Sequence, residues 1–144
     1  MLDTNVVLDH IGRRKPFDEI ARKICLLGIV HEANLYISTS MITDLNYLLR
    51  KDHGTLGAQE LIEHTLSFLQ PISCSPEDVR QSLSEKWNDF EDCLVAQCAK
   101  KIKADYIITR NIKDFDRSTI PAITPEGLFA ILERQGFSYE EIAF

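Results

Sequence analysis

Short apolar runs of strand type recur along this chain, each followed by a stretch with helical spacing, and this alternation limits the fold more than any other feature. LYIST (35–39) and DYIIT (105–109) are rich in β-branched and aromatic residues and read as buried strands. PIS (71–73) and AIT (122–124) are shorter candidates, and LDTNVVL (2–8) suits a short strand turning into a helix. Between these runs, Phe17, Ile20, Ala21, Ile24, Leu27 and Ile29 fall mostly on one side of a helix over 17–32. Ser40 is placed to cap a helix through MITDLNYLLRK, and Gly54 and Gly57 loosen its join to another helix ending near Leu69. Ser75 before Pro76 and Glu77 is a helix start. A long helix is predicted over 89–102, with Cys93, Leu94, Ala96, Cys98 and Ala99 as a small-residue packing face, and Pro125 opens a last helix, PEGLFAILERQ. Strands separated by helices imply an α/β fold, a central parallel sheet of about four to five strands with right-handed crossovers and helices on both faces.

At 144 residues, with no repeat, low-complexity segment or internal linker, the chain is expected to form a single domain over 1–144. The net charge of −6 argues against binding nucleic acid through overall charge, so any such role must rest on a local site or on bound metal. Cys25, Cys74, Cys93 and Cys98 form no C-x-x-C, and no His lies at zinc-finger spacing. Three of them sit in apolar stretches, where a free thiol packs as a small hydrophobe, which suits a reducing, cytoplasmic setting. The first residues show no basic signal-peptide region, and no apolar run is long enough for a bilayer, so no membrane role is expected.

In parallel sheets the binding crevice lies beyond the carboxyl ends of the strands. Four chain regions bring acidic residues there. Asp3 belongs to the first strand; Asp44 comes one helical turn after the second; Asp89, Glu91 and Asp92 open the long helix; Asp114 and Asp116 follow DYIIT in TRNIKDFD. Asp89 and Asp92 are three apart and share a helix face. Clustered carboxylates repel unless a cation neutralises them, and hard oxygen donors favour Mg2+ or Mn2+. An acidic pocket holding such ions suits attack on a phosphodiester, because the metal acidifies water and clamps phosphate oxygens.

Each acid also has a plainer reading. Asp3 suits a helix N-cap or a turn, Asp44 the early part of a helix, and Asp89 a cap. Asp9, Asp18, Glu91 and Asp116 read as solvated surface charge. His10, His31, His53 and His64 show no pairing at metal spacing, and Trp87 reads as packing. The run Arg13, Arg14, Lys15, and Arg110 separately, are weak candidates for contact with substrate phosphates.

LDTNVVLD, STSMITDLNYLL, DFEDCLVAQCA and ADYIITRNIKDF occur in that order, followed by a proline-led last helix at TPEGLF. Together they resemble the PIN-domain nucleases, in particular the small single-domain, VapC-like toxins of bacterial and archaeal toxin–antitoxin pairs, from residue 2 to about residue 129. The resemblance implies a three-layer PIN-like fold and metal-dependent cleavage of RNA with Mg2+ or Mn2+. It implies an acidic quartet of Asp3, Asp44, Asp92 and Asp114, in which Asp3, Asp92 and Asp114 ligate the ion and Asp44 helps directly or through water. Asp89 is then an auxiliary carboxylate, and Asn5, Thr109 and Asn111 orient the carboxylates or the ion. The implied partners are RNA, a cognate antitoxin and a second copy of the chain, with the apolar helices at 41–49 and 61–69 as the surface on offer. Two positions depart from the family pattern: Asp44 stands where Glu is usual, and Met1 and Leu2 alone precede the first Asp, so a short first strand is expected. Two rival readings are a catalytically weak PIN-like binding module and a Mg-dependent phosphohydrolase. The latter needs D-x-D on the first strand, whereas Asp3 is followed by Thr4 and Asn5.

Overall fold

A computed structural model describes residues 1–139, so the end of the expected 1–144 domain lies outside the described residues. The chain runs α1 (Thr4–Ile11), α2 (Asp18–Ile29), β1 (Tyr36–Ser38), α3 (Thr39–Thr65), β2 (Gln70–Ile72), α4 (Pro76–Glu85), α5 (Phe90–Lys101), β3 (Ile107–Ile108), a 3-10 turn at Ile112–Phe115, β4 (Ala122–Ile123) and α6 (Pro125–Arg134). β1 pairs with β2 and β3 with β4, both in parallel. Residues 1–3 join the two pairs. Leu2 N–H donates to Tyr36 O at 2.8 Å, while Asp3 N–H donates to Ile108 O at 2.9 Å and Ile108 N–H to Met1 O at 2.8 Å. The spatial order is therefore β2, β1, residues 1–3, β3, β4, with parallel pairing of β1 with β2, β3 with β4 and Leu2 with Ile108, consistent with an α/β fold.

The short strand turning into a helix expected over 2–8 is found, and the turn falls at Asp3. Asp3 has extended backbone angles, and its carboxylate accepts from Thr4 N–H at 2.8 Å, which caps a helix instead of extending a strand. Val6 and Val7 are fully buried within that helix, so burial overrides their β-branched preference. The helices fall into two packing groups: α1 lies on α2 and α3, with α6 on α2, while α4 lies on α5 and α5 on β1. Leu2, Val6, Val7, Ile24, Ile37, Met41, Leu45 and Ile107 form the centre of the core, each contributing about 1.5–3 kcal/mol by burial.

Three boundaries differ from expectation. Ser38, not Ser40, occupies the N-cap position of α3, and its hydroxyl lies 2.6 Å from that of Ser40. α3 ends at Thr65 rather than near Leu69, where the Ser67 hydroxyl takes the His64 carbonyl at 2.7 Å. The break between its halves is at Gly54 alone, with Gly57 staying helical. The helix faces at 41–49 and 61–69 are not a free surface: Met41, Leu45, Leu49, Ile62 and Leu69 are buried in this chain's own core. Tyr47 is the exposed large hydrophobic side chain on these faces, and Leu56 and Phe137 are exposed elsewhere.

Gly54 has φ +72° and ψ 177°, a region open essentially to glycine alone, and a Cβ there would meet no atom within 4 Å. Backbone strain is therefore the sole penalty for adding one. We expect Gly54→Ala to lower stability by roughly 1–3 kcal/mol in urea unfolding, with an unchanged m-value.

Candidate active site

The turns leaving the carboxyl ends of residues 1–3, β1 and β3 open onto a cleft of about 360 Å3 that is lined by carboxylates from four elements. Asp3 comes from the sheet centre, Asp44 from α3, Asp89, Glu91 and Asp92 from the start of α5, and Asp114 from the 3-10 turn after β3. Asn5, Ser40 and Asn111 add neutral oxygen and nitrogen donors, and Leu8, Met41 and Val95 an apolar floor. Among the described residues, none of the ion pairs involves a carboxylate of this cleft.

Asp3 is the most constrained of the set, at 7% exposure. One carboxylate oxygen caps α1 through Thr4 N–H; the other accepts from the buried Thr109 hydroxyl at 2.9 Å. Thr109 Oγ1 in turn accepts from Asn111 N–H at 3.0 Å, so one hydroxyl ties the Asp3 carboxylate to the turn that carries Asn111 and Asp114. Burial pushes the Asp3 pKa up, the two hydrogen bonds oppose it, and the charges of Asp114 and Asp89 push it further. Each oxygen keeps a lone pair beyond the one already used.

Asp89 caps α5 by accepting from Asp92 N–H at 3.1 Å, so its capping role and its place in the cleft coincide. That bond sets Asp92 in the first turn of the helix. Burial, then the neighbouring charges of Asp89, Asp3, Asp114 and Glu91, raise the Asp92 pKa to about 7. Across the cleft, Glu91 is pushed up first by Asp44, then by burial and Asp89. The carboxylates of α1, α3, α5 and the 3-10 turn thus act on one another electrostatically.

A family model described as a PIN domain matches residues 1–113. The chain belongs to the PIN domain family. Among solved structures, the fold is similar to VapBC2 from Rickettsia felis bound to a DNA fragment from their promoter: 24% identity, TM-score 0.65, covering 86% of this chain and 96% of that one. It is also similar to a toxin–antitoxin complex from Klebsiella pneumoniae, at 22% identity and TM-score 0.63, covering 86% of this chain and 95% of that one. No curated protein sequence matches it.

In this PIN domain the basic residues suggested for substrate contact do not line the cleft. Arg13, Arg14 and Lys15 are exposed in the turn beyond the far end of α1, about 12 Å of helix away from Asp3. Arg110 is already engaged. Its Nε lies 2.8 Å from Asp9 Oδ2, its Nη2 donates to Oδ1 at 3.3 Å, and its guanidinium stacks 4.1 Å from the Phe17 ring centre. Asp9, expected as surface charge, is 1% exposed and is the buried half of this pair. Asp116 is exposed and outside the cleft. Glu91, expected as surface charge, lines the cleft, and so do Ser40 and the exposed Tyr47, which the sequence reading passed over. Tyr47 follows Asp44 by three residues and so shares its helix face, a spacing visible in the sequence.

Among the described residues, no three His, Cys, Asp or Glu side chains close into a tight metal shell. The chemistry of the donor set nevertheless fits a hard divalent cation. The donors are carboxylate and amide oxygens, and burial together with the neighbouring carboxylates raises the Asp92 pKa to about 7.

Two measurements follow from this geometry. The folded Asp92 pKa lies above the ordinary carboxylate value of 3.8, so the folded state retains a proton that the unfolded chain has lost. That contribution to stability is complete below about pH 4 and is lost as pH rises through about 7. In EDTA, we expect the wild-type melting temperature to fall between about pH 5.5 and about pH 8 by more than that of Asp92→Asn. Thr109→Val should cost roughly 1.5–3 kcal/mol, the worth of a hydrogen bond to a charged group, and Thr109→Ser should recover most of it in chemical denaturation.

Proposed function

We propose that this chain is a Mg2+- or Mn2+-dependent endoribonuclease, the toxin of a toxin–antitoxin pair acting in the cytoplasm. The observation that carries the reading is the cleft at the strand ends, where six carboxylates from four elements meet without a cationic partner. Membership of the PIN domain family and fold similarity to two toxin–antitoxin assemblies support it.

Asp3, Asp92 and Asp114 would hold the ion, with Asp44 contributing directly or through water. When bound, the ion supplies positive charge to the scissile phosphate and acidifies water for attack on phosphorus. The protein's own part is positional. Thr4 N–H and Thr109 Oγ–H fix the Asp3 carboxylate, Asp89 holds the α5 N-terminus that carries Asp92, and Asn5 and Asn111 supply neutral polar contacts at the same edge. Asp92 must give up its proton for the ion, so affinity for metal should rise with pH through about 7. The proposal includes a cognate antitoxin and a second copy of the chain as partners; Ile29, Val30, Leu56 and Phe137 are exposed apolar side chains available to them.

The test pairs metal binding with cleavage. Millimolar Mn2+ should raise the melting temperature, because the ion binds the folded site alone. Asp3→Asn keeps size and shape, so it should fold by circular dichroism, lose much of that shift and cleave single-stranded RNA slower by orders of magnitude. A wild-type melting curve that Mn2+ leaves in place refutes the metal site. A metal-stabilised wild type that cleaves no RNA refutes the nuclease and leaves the binding-module reading.

A further inference from the structure

Outside the cleft, two of the four cysteines meet. Cys74 Sγ lies 3.2 Å from Cys98 Sγ, and both are free thiols. A disulfide bond is about 2.0 Å long, so roughly 1 Å of approach would join them. Their surroundings differ. Cys74 is half-buried in the turn between β2 and α4, where its N–H donates to Thr39 Oγ1 at 3.1 Å. Its sulfur faces the first turn of α3. Burial works against a Cys74 thiolate, but hydrogen bonds from Cys98, from the Ser40 hydroxyl and backbone, and from Thr39 outweigh it, and the thiol pKa falls below its ordinary value. Lys101, next to this pair on α5, is already ion-paired with Asp78. Cys98 is fully buried on α5, and burial pushes its pKa up to about 12. One half-buried sulfur with a stabilised thiolate, touching one buried thiol that stays protonated, is the asymmetry of an attacking and a resolving cysteine.

We propose that Cys74 and Cys98 form an oxidation site, converted by a hydroperoxide into a disulfide that ties the turn before α4 to helix α5. In the first step the Cys74 thiolate attacks a peroxide oxygen. An S–O bond forms, the O–O bond breaks, and the departing hydroxide takes up a proton to give water. In the second, Cys98 Sγ attacks Cys74 Sγ. An S–S bond forms, the S–O bond breaks, and hydroxide leaves with the Cys98 proton as a second water. The two thiols lose two electrons, and hydrogen peroxide gains them. The tie would join two elements that line the cleft: α5 carries Glu91 and Asp92, while the Cys74 turn bonds to Thr39 at the start of α3, which carries Ser40 and Asp44. Closing the 24-residue separation also restricts the unfolded chain, so the oxidised form should melt at a higher temperature. Neither step depends on what the cleft cleaves.

The test is hydrogen peroxide on the reduced, folded wild-type protein, read by non-reducing peptide mass mapping and thiol titration. The expected result is a linked Cys74–Cys98 peptide pair two hydrogens lighter, reversal by dithiothreitol, and Cys25 and Cys93 left as thiols. Cys98→Ser should stop at a Cys74 sulfenic acid that dimedone captures; Cys74→Ser should lose no thiol at the same dose. Folding of each variant is checked by circular dichroism, and the wild-type result decides alone should either fail to fold. Four intact thiols in the oxidant-treated wild type overturn the proposal. So does a dimedone adduct on Cys74 with Cys98 free, or a disulfide between two chains.

Discussion

Three backbone hydrogen bonds at residues 1–3 hold the two halves of the sheet together. Leu2 N–H reaches β1, and Asp3 N–H and Met1 C=O reach β3, so the segment is the middle strand even though its pairing is minimal. Each such bond is worth about 1 kcal/mol net, but leaving these groups unpaired in a fully buried position would cost more than that. The residue that closes the seam is also the residue at the centre of the cleft. Asp3 spends its N–H on the sheet, one oxygen on the α1 cap and the other on Thr109. The fold and the placement of the carboxylate therefore rest on the same contacts, which explains why a charged side chain is retained at the core of a sheet.

Six carboxylates facing one cleft would normally oppose folding, and their charges add to burial in raising the Asp92 pKa. The topology offsets part of that opposition. Asp3 caps α1, and Asp89 caps α5 with Glu91 and Asp92 in the first turn, so the acids lie where helix N-termini present unpaired N–H groups and partial positive charge. A parallel α/β sheet brings those helix starts to the carboxyl ends of its strands as a matter of course. The same arrangement that tolerates the acids without a cation leaves them oriented to receive one.

Much of this was legible in the sequence because it is local. LYIST, DYIIT, the Ser75–Pro76 start and the Pro125 start each carry their own signal, and the acids follow the strands at short distances. What was not legible depends on distant partners. LDTNVVL reads as a short strand turning into a helix, but the point of the turn is set by the cap bond from Asp3 and the burial of Val6 and Val7. Asp9 reads as surface charge because its partner, Arg110, is 101 residues away. Glu91 does so because the charge it faces, Asp44, belongs to another helix. The apolar faces of α3 look available for a partner until the core that covers them is seen.

The Asp9–Arg110 pair has a consequence for the cleft that neither residue shows alone. Arg110 directly follows Thr109 and is the basic side chain best placed by sequence to reach the acidic edge. Its guanidinium is instead held by a buried carboxylate and an aromatic ring, and neither Arg110 nor these two partners lines the cleft. Among the described residues no ion pair neutralises a cleft carboxylate, on a chain whose net charge is already −6. Clustered negative charge draws small cations and repels a polyanion until it is neutralised. Under the proposed function, Asp3, Asp92 and Asp114 would hold a cation whose positive charge would lessen the repulsion of RNA, with Asp92 in its deprotonated form. An arginine freed to face the cleft would relieve the acids itself and weaken the demand for metal, so burying it against Asp9 and Phe17 preserves the vacancy in charge on which the proposed chemistry depends.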